Sequence, residues 1–68
     1  MKSLLTTREK EIFQMLVKKM DTSEISENLN ISEKTVRNHI SNVIQKLGVK
    51  GRSQAILELI KIGEISIE

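Results

Sequence analysis

Only three residues, Asn30, Ile31 and Ser32, separate two stretches that both read as helix. The first, residues 22–29, opens on Asp21-Thr22-Ser23-Glu24, an aspartate-led capping box, and carries Ile25 and Leu29 as anchors four residues apart. The second, residues 33–47, places Val36, Ile40, Val43, Ile44 and Leu47 within an arc of roughly 100°. Asn30 tolerates the left-handed conformation that ends a helix. Ile31 plugs the turn, and Ser32 caps the second helix. A joint this short gives a helix-turn-helix pair, and the rest of the chain must pack around it.

The rest is also helical. Thr6-Thr7-Arg8-Glu9 is another capping box, and Ile12, Phe13, Leu16, Val17 and Met20 come after it at helical spacing. This predicts a first helix over residues 7–20. Glu9 projects near the apolar stripe. It serves either as the cap or as one half of a partly buried ion pair with a later arginine. Gly48 stops the third helix, and a fourth is expected over residues 52–62, closing at Gly63. Its apolar residues are Ala55, Ile56, Leu57, Leu59, Ile60 and Ile62. They cover roughly 220° of the helix surface, against the 100° or so that one core uses. The surplus favours self-association through Ile56, Leu57 and Ile60 over a merely greasy C-terminus. Ser26 is small and lies where another helix can approach closely. Met15 and Met20 read as packing. The expected architecture is one all-α domain of four helices.

Composition removes most alternatives. The 68 residues include no cysteine, proline, tryptophan or tyrosine and a single phenylalanine. A chain this short buries only about 60% of its unfolded surface. It has no thiol for a disulfide or a thiolate metal site, and a buried pocket for a cofactor or small-molecule ligand is not expected. No apolar run approaches the roughly 20 residues of a membrane span. Charge follows the first residues too soon for a signal peptide, so cytoplasm is the default. No paired acid and base, metal cluster or nucleophile suggests an enzyme.

Charge is informative by position. The net charge is +2, and residues 1–32 balance five basic side chains with five acidic ones. Between Glu33 and Glu58 there is no acid, while Lys34, Arg37, Lys46, Lys50, Arg52 and His39 all fall there. Charge alone allows a solvated helix face or a polyanion partner. The third helix narrows the choice. Opposite its apolar stripe lie Lys34, Arg37, Asn38, Ser41 and Gln45. Asparagine and serine are middling helix formers, but short hydrogen-bonders mixed with cations suit the reading of base edges. In a helix-turn-helix the second helix enters the DNA major groove, which is about 12 Å wide. Arg37 can then be bidentate to a guanine and Asn38 can pair with an adenine. Lys34, Lys46, Lys50 and Arg52 suit phosphates.

Several segments resemble the LuxR-type helix-turn-helix family: Leu5-Thr6-Thr7-Arg8-Glu9, Glu24-Ile25, the run from Ile31 to His39, and Lys46-Leu47-Gly48-Val49 with Arg52. The likeness covers about residues 4–63. It implies a four-helix DNA-binding domain of the kind found at the C-terminal end of response regulators and quorum sensors, and also alone. Residues 31–42 and 45–55 look especially like a stand-alone member that controls late spore-coat genes; Met1 and the lack of a receiver domain agree with that form. The resemblance implies base contacts at Arg37, Asn38 and Ser41. It implies backbone contacts at or near Lys34, Thr35, His39, Asn42, Lys46 and Lys50, and dimerisation through the fourth helix. Ser26 stands where the family often has alanine, and Asn30 where it often has glycine.

The expectation is therefore a sequence-specific regulator of transcription that binds double-stranded DNA as a homodimer. Activation would need a surface for RNA polymerase, for which the acidic side of the second helix, Glu24 and Glu27, is the candidate. One rival is a small helical protein-interaction module using the wide fourth-helix face; another is the output domain of a longer response regulator. Lesser motifs have plainer readings. Gly48-Val49-Lys50-Gly51 matches the G-x-x-G loop of KH domains but lacks their strands. Asn30-Ile31-Ser32 is a glycosylation sequon better used as a cap. Lys18-Lys19 suits a helix end.

Overall fold

The computed structural model describes residues 4–67. Four helices succeed one another: α1 (Thr7–Val17), α2 (Thr22–Leu29), α3 (Glu33–Leu47) and α4 (Arg52–Lys61). No strand occurs among the described residues. The Met1 start lies outside them.

Both capping boxes form. The Thr6 hydroxyl accepts from the Glu9 N–H at 3.1 Å, and a Glu9 carboxylate oxygen accepts from the Thr6 N–H at 2.9 Å. Asp21 and Glu24 exchange the same pair at 2.8 and 2.9 Å. These bonds satisfy backbone donors that the helix itself cannot.

All four helices also end in one way. A residue in the left-handed region comes after each helix, and the next N–H reaches back across the last turn: Met20 to the Met15 carbonyl, Ile31 to Ser26, Val49 to Ile44 and Glu64 to Leu59, at 3.2, 3.0, 3.3 and 2.9 Å. The left-handed residues are Lys19, Asn30, Gly48 and Gly63, with φ of 66°, 58°, 69° and 81°. This closure corrects two expected boundaries. α1 stops at Val17 rather than at residue 20, because Lys19 turns left-handed and Met20 folds back over Met15. α4 stops at Lys61 rather than at residue 62, for the same reason one residue earlier than expected.

α3 is the hub, packing against α1, α2 and α4. Its Val36 and Val43 are fully buried and Ile40 nearly so, against Ile12 and Phe13 from α1, Ile25 from α2, and Ala55 and Leu59 from α4. Apart from Ala55, each of these side chains contributes about 1.5–3 kcal/mol by leaving water. Ser26 is buried as its size suggests, its hydroxyl donating to the Ser23 carbonyl at 2.8 Å. Met15 and Met20 lie half-buried against the core.

The chain does more after α4 than the sequence indicates. Ile65 returns to the core and is buried. Ser66 meets Gln14 of α1 through two hydrogen bonds, and Glu64 lies 3.9 Å from the Lys10 ammonium. The last described residues are thus strapped across the outside of α1.

Candidate nucleic-acid interface

Ser32 sets the start of α3. Its hydroxyl accepts from the Thr35 N–H at 3.0 Å and bonds the Thr35 hydroxyl at 2.9 Å. Thr22 of α2 donates to the Glu33 carboxylate at 3.4 Å. With the Ile31 N–H bonded to the Ser26 carbonyl, hydrogen bonds tie the joint between α2 and α3 from both sides.

The sequence-expected residues then sort by direction. Arg37, Asn38 and Ser41 are exposed with Lys34 on one face, spanning roughly 100° around α3. Arg37 lies 3.5 Å from Glu33 one turn back, both side chains about half in solvent. Such an exposed pair is weak and leaves the guanidinium available to another partner. Among the described residues, Asn38 and Ser41 make no side-chain hydrogen bond. Thr35 and His39 are half-buried on a flank of this face, and Asn42 is exposed beside them. Lys50 lies beyond α3, where its N–H donates to Gln54 at 2.8 Å; its side chain is exposed, as is Arg52. On α3 these residues form an exposed polar face in which Lys34 and Arg37 stand beside the uncommitted side chains of Asn38 and Ser41.

Lys46 differs from the rest. Its ammonium lies 2.6 Å from a Glu9 carboxylate oxygen and 3.4 Å from the Leu4 carbonyl. Glu9 is only 4% exposed. Burial alone would raise its pKa. The hydrogen bond from Lys46, that of the Thr6 N–H and the Lys46 charge outweigh burial and hold the carboxyl below its ordinary value. The sequence points to an ion pair for Glu9 with a later arginine; the pair forms, but its cation is a lysine of α3.

On α4, Ile56 and Ile60 are half-buried, while Leu57 is 68% exposed. Val49, Gln54, Leu57, Glu58, Ile60 and Lys61 line a shallow apolar groove there. No group of acids and histidines able to hold a metal occurs among the described residues. No described helix is long and apolar enough to cross a membrane.

The model of the bacterial regulatory proteins of the luxR family matches residues 3–59. The chain belongs to the luxR family. Its luxR-type helices are those just described, and the match takes in the whole of α1, α2 and α3 and most of α4. Among relatives, the spore germination protein GerE of Bacillus subtilis is 62% identical over 66 residues, covering 97% of this chain and 89% of that one. The transcriptional regulatory protein DegU of Brevibacillus brevis is 45% identical over 64 residues, and the match spans 94% of this chain and 27% of that one. A solved structure of the transcription factor GerE superposes with a TM-score of 0.97 at 69% identity, covering 98% of this chain and all of that one. As a luxR-family member of the GerE type, the chain is a DNA-binding regulator of transcription and not an enzyme. The C-terminal strap at residues 64–67 lies beyond the family match.

Proposed function

We propose that this chain binds a specific double-stranded DNA site as a homodimer and controls genes of the sporulation programme in the cytoplasm. The observation that supports it is the exposed strip on α3, where Arg37, Asn38 and Ser41 share one face and the last two make no side-chain hydrogen bond among the described residues. A helix of this diameter fits the major groove, and these side-chain types match base edges. Arg37 is bidentate to a guanine, and Asn38 and Ser41 contact neighbouring bases. Lys34, Thr35, His39, Asn42 and Lys50 hold phosphates and so fix register. The sporulation role rests on the likeness to the spore germination protein GerE.

The exposed Leu57, with Ile56 and Ile60 beside it, supports dimerisation through α4. Two copies joined there would offer two α3 helices to one duplex, and the site should contain two related half-sites. Activation adds a contact with RNA polymerase, for which the exposed Glu24 and Glu27 of α2 are the candidates.

Selection of bound duplexes from a random pool, run beside an Arg37→Ala, Asn38→Ala double variant, tests the reading. A consensus with paired half-sites that the variant loses is the expected result. Salt-sensitive binding with no enrichment would reject it and turn attention to a protein partner for α4.

A further inference from the structure

The cation at the far end of α3 has a use that its charge alone does not suggest. Lys46 sits roughly 140° around the helix from Ser41 and about 14 Å along the axis from Arg37. It therefore points away from the base-facing strip and toward the N-terminal end of α1. There the Glu9 carboxylate receives it at 2.6 Å, and the Leu4 carbonyl at 3.4 Å. The same Glu9 oxygen accepts the Thr6 N–H that starts α1. One carboxylate thus joins the first turn of α1 to the last turn of α3, across 37 positions of sequence.

We propose that Lys46 is a positioning residue, whose bond to Glu9 sets how α3 lies against α1 and so how the reading face is presented, and that it does not serve as a phosphate contact. The inference rests on the DNA-binding reading above. Two arguments carry it. Removing Lys46 would strand a buried carboxylate, which is strongly unfavourable, whereas an exposed lysine can leave or join a phosphate at little cost. The pair is also neutral as a whole. A charge already balanced by Glu9 adds little to the release of counterions from DNA, which is what gives a phosphate contact its salt dependence. Among the described residues, Lys34, Lys50 and Arg52 have no acid so placed.

The test measures affinity for the selected duplex and for a random one across a salt series. It uses the parent protein, Lys46→Met, Glu9→Gln, the double variant and Lys46→Arg, each checked for folding by circular dichroism. Positioning predicts that Lys46→Met and Glu9→Gln each weaken binding to the selected duplex on the order of tenfold. The double variant is no worse than either, Lys46→Arg retains most of the affinity, and the slope of log K against log salt is unchanged throughout. Glu9→Gln keeps the shape of the side chain and carries the test if Lys46→Met does not fold. A slope shallower by about one unit in Lys46→Met, with Glu9→Gln binding as tightly as the parent, would make Lys46 a phosphate contact and overturn the proposal. So would a lowered melting temperature with unchanged affinity, which would leave the pair a purely structural tie. A parent protein that enriches no duplex removes the DNA reading itself, and this inference with it.

Discussion

Gln14 and Ser66 hold each other in both directions: the Gln14 amide donates to the Ser66 carbonyl at 2.7 Å, and the Ser66 N–H donates to the Gln14 side-chain oxygen at 3.2 Å. A side-chain amide serves the chain end here as a neighbouring strand serves a strand. The contact places Ile65, one residue earlier, into the core beside α1. Ile65→Ala should therefore cost about 2 kcal/mol or more, as for other buried isoleucines. Gln14→Ala should cost about 1 kcal/mol. Thermal unfolding reads both. A loss within error for both variants would show that the strap adds no stability.

Lys19 occupies the left-handed region at φ 66° with its side chain in solvent. An L side chain held there costs about 1–2 kcal/mol, and glycine avoids it. Lys19→Gly should raise stability by up to about 1 kcal/mol after the greater freedom of glycine in the unfolded chain is counted. For a domain of this size that is about 4–8 °C in melting temperature. A fall in melting temperature would mean that the Lys19 side chain makes a contribution its exposure conceals.

Gly48 and Gly51 should respond to serine in opposite ways. Gly48 has φ 69°, so Gly48→Ser is strained although nothing crowds a Cβ there, and about 1 kcal/mol should be lost. Gly51 is extended and begins α4 with no side-chain cap. The Gln54 side chain accepts instead from the Lys50 N–H, one residue before the cap position. Gly51→Ser supplies the missing hydroxyl and should gain a few tenths of a kcal/mol. Denaturant unfolding of the two variants side by side checks the contrast.

Glu9 makes stability depend on acid. Its carboxyl is held below the ordinary 4.5 when folded. The folded state therefore binds that proton less readily than the unfolded chain, and the stabilisation is present above the ordinary value. It is lost as pH falls through the folded value, where both states are protonated. The stability difference between the parent and Glu9→Gln should shrink steadily below pH 4.5. A difference constant with pH would show that Glu9 acts through shape alone.

Arg37→Ala should lower affinity for the selected duplex by about 1–3 kcal/mol and relax preference at one base position. Leu57→Glu should leave a folded monomer, seen by sedimentation with circular dichroism as control. Leu57 is exposed in the single chain, so folding gives no reason for a loss of helix. Uniform loss on all sequences in the first case, or an unaltered dimer in the second, would move those roles to other residues.

The helices are legible in the sequence because their signals are local. A capping box spans four residues, and an amphipathic stripe repeats every turn. Asn30 and Gly48 announce their turns by residue type. Lys19 does not, which is why the pattern of α1 reads on to Met20. The Glu9–Lys46 tie is half legible: an acid in an apolar stripe demands a partner, but residues 9 and 46 are joined only by the fold. Nothing in the run after Gly63 distinguishes Ile65 from the exposed Ile67, because each is an isolated isoleucine among polar neighbours. The exposed polar strip proposed to read bases is legible as a departure from what a merely soluble helix uses, since Asn38 and Ser41 gain little there as helix formers.

That Asn38 and Ser41 have no structural duty on α3 has a consequence for descent. The scaffold depends on Val36, Ile40 and Val43, which point inward, and the outward strip can vary without disturbing them. If this strip reads DNA as proposed, a lineage can rewrite the address it recognises one residue at a time without disturbing the buried residues. The ion-paired end at Lys46 lacks that freedom, since altering it also disturbs Glu9. Innovation along α3 should accumulate toward its first half and fade toward its last turn.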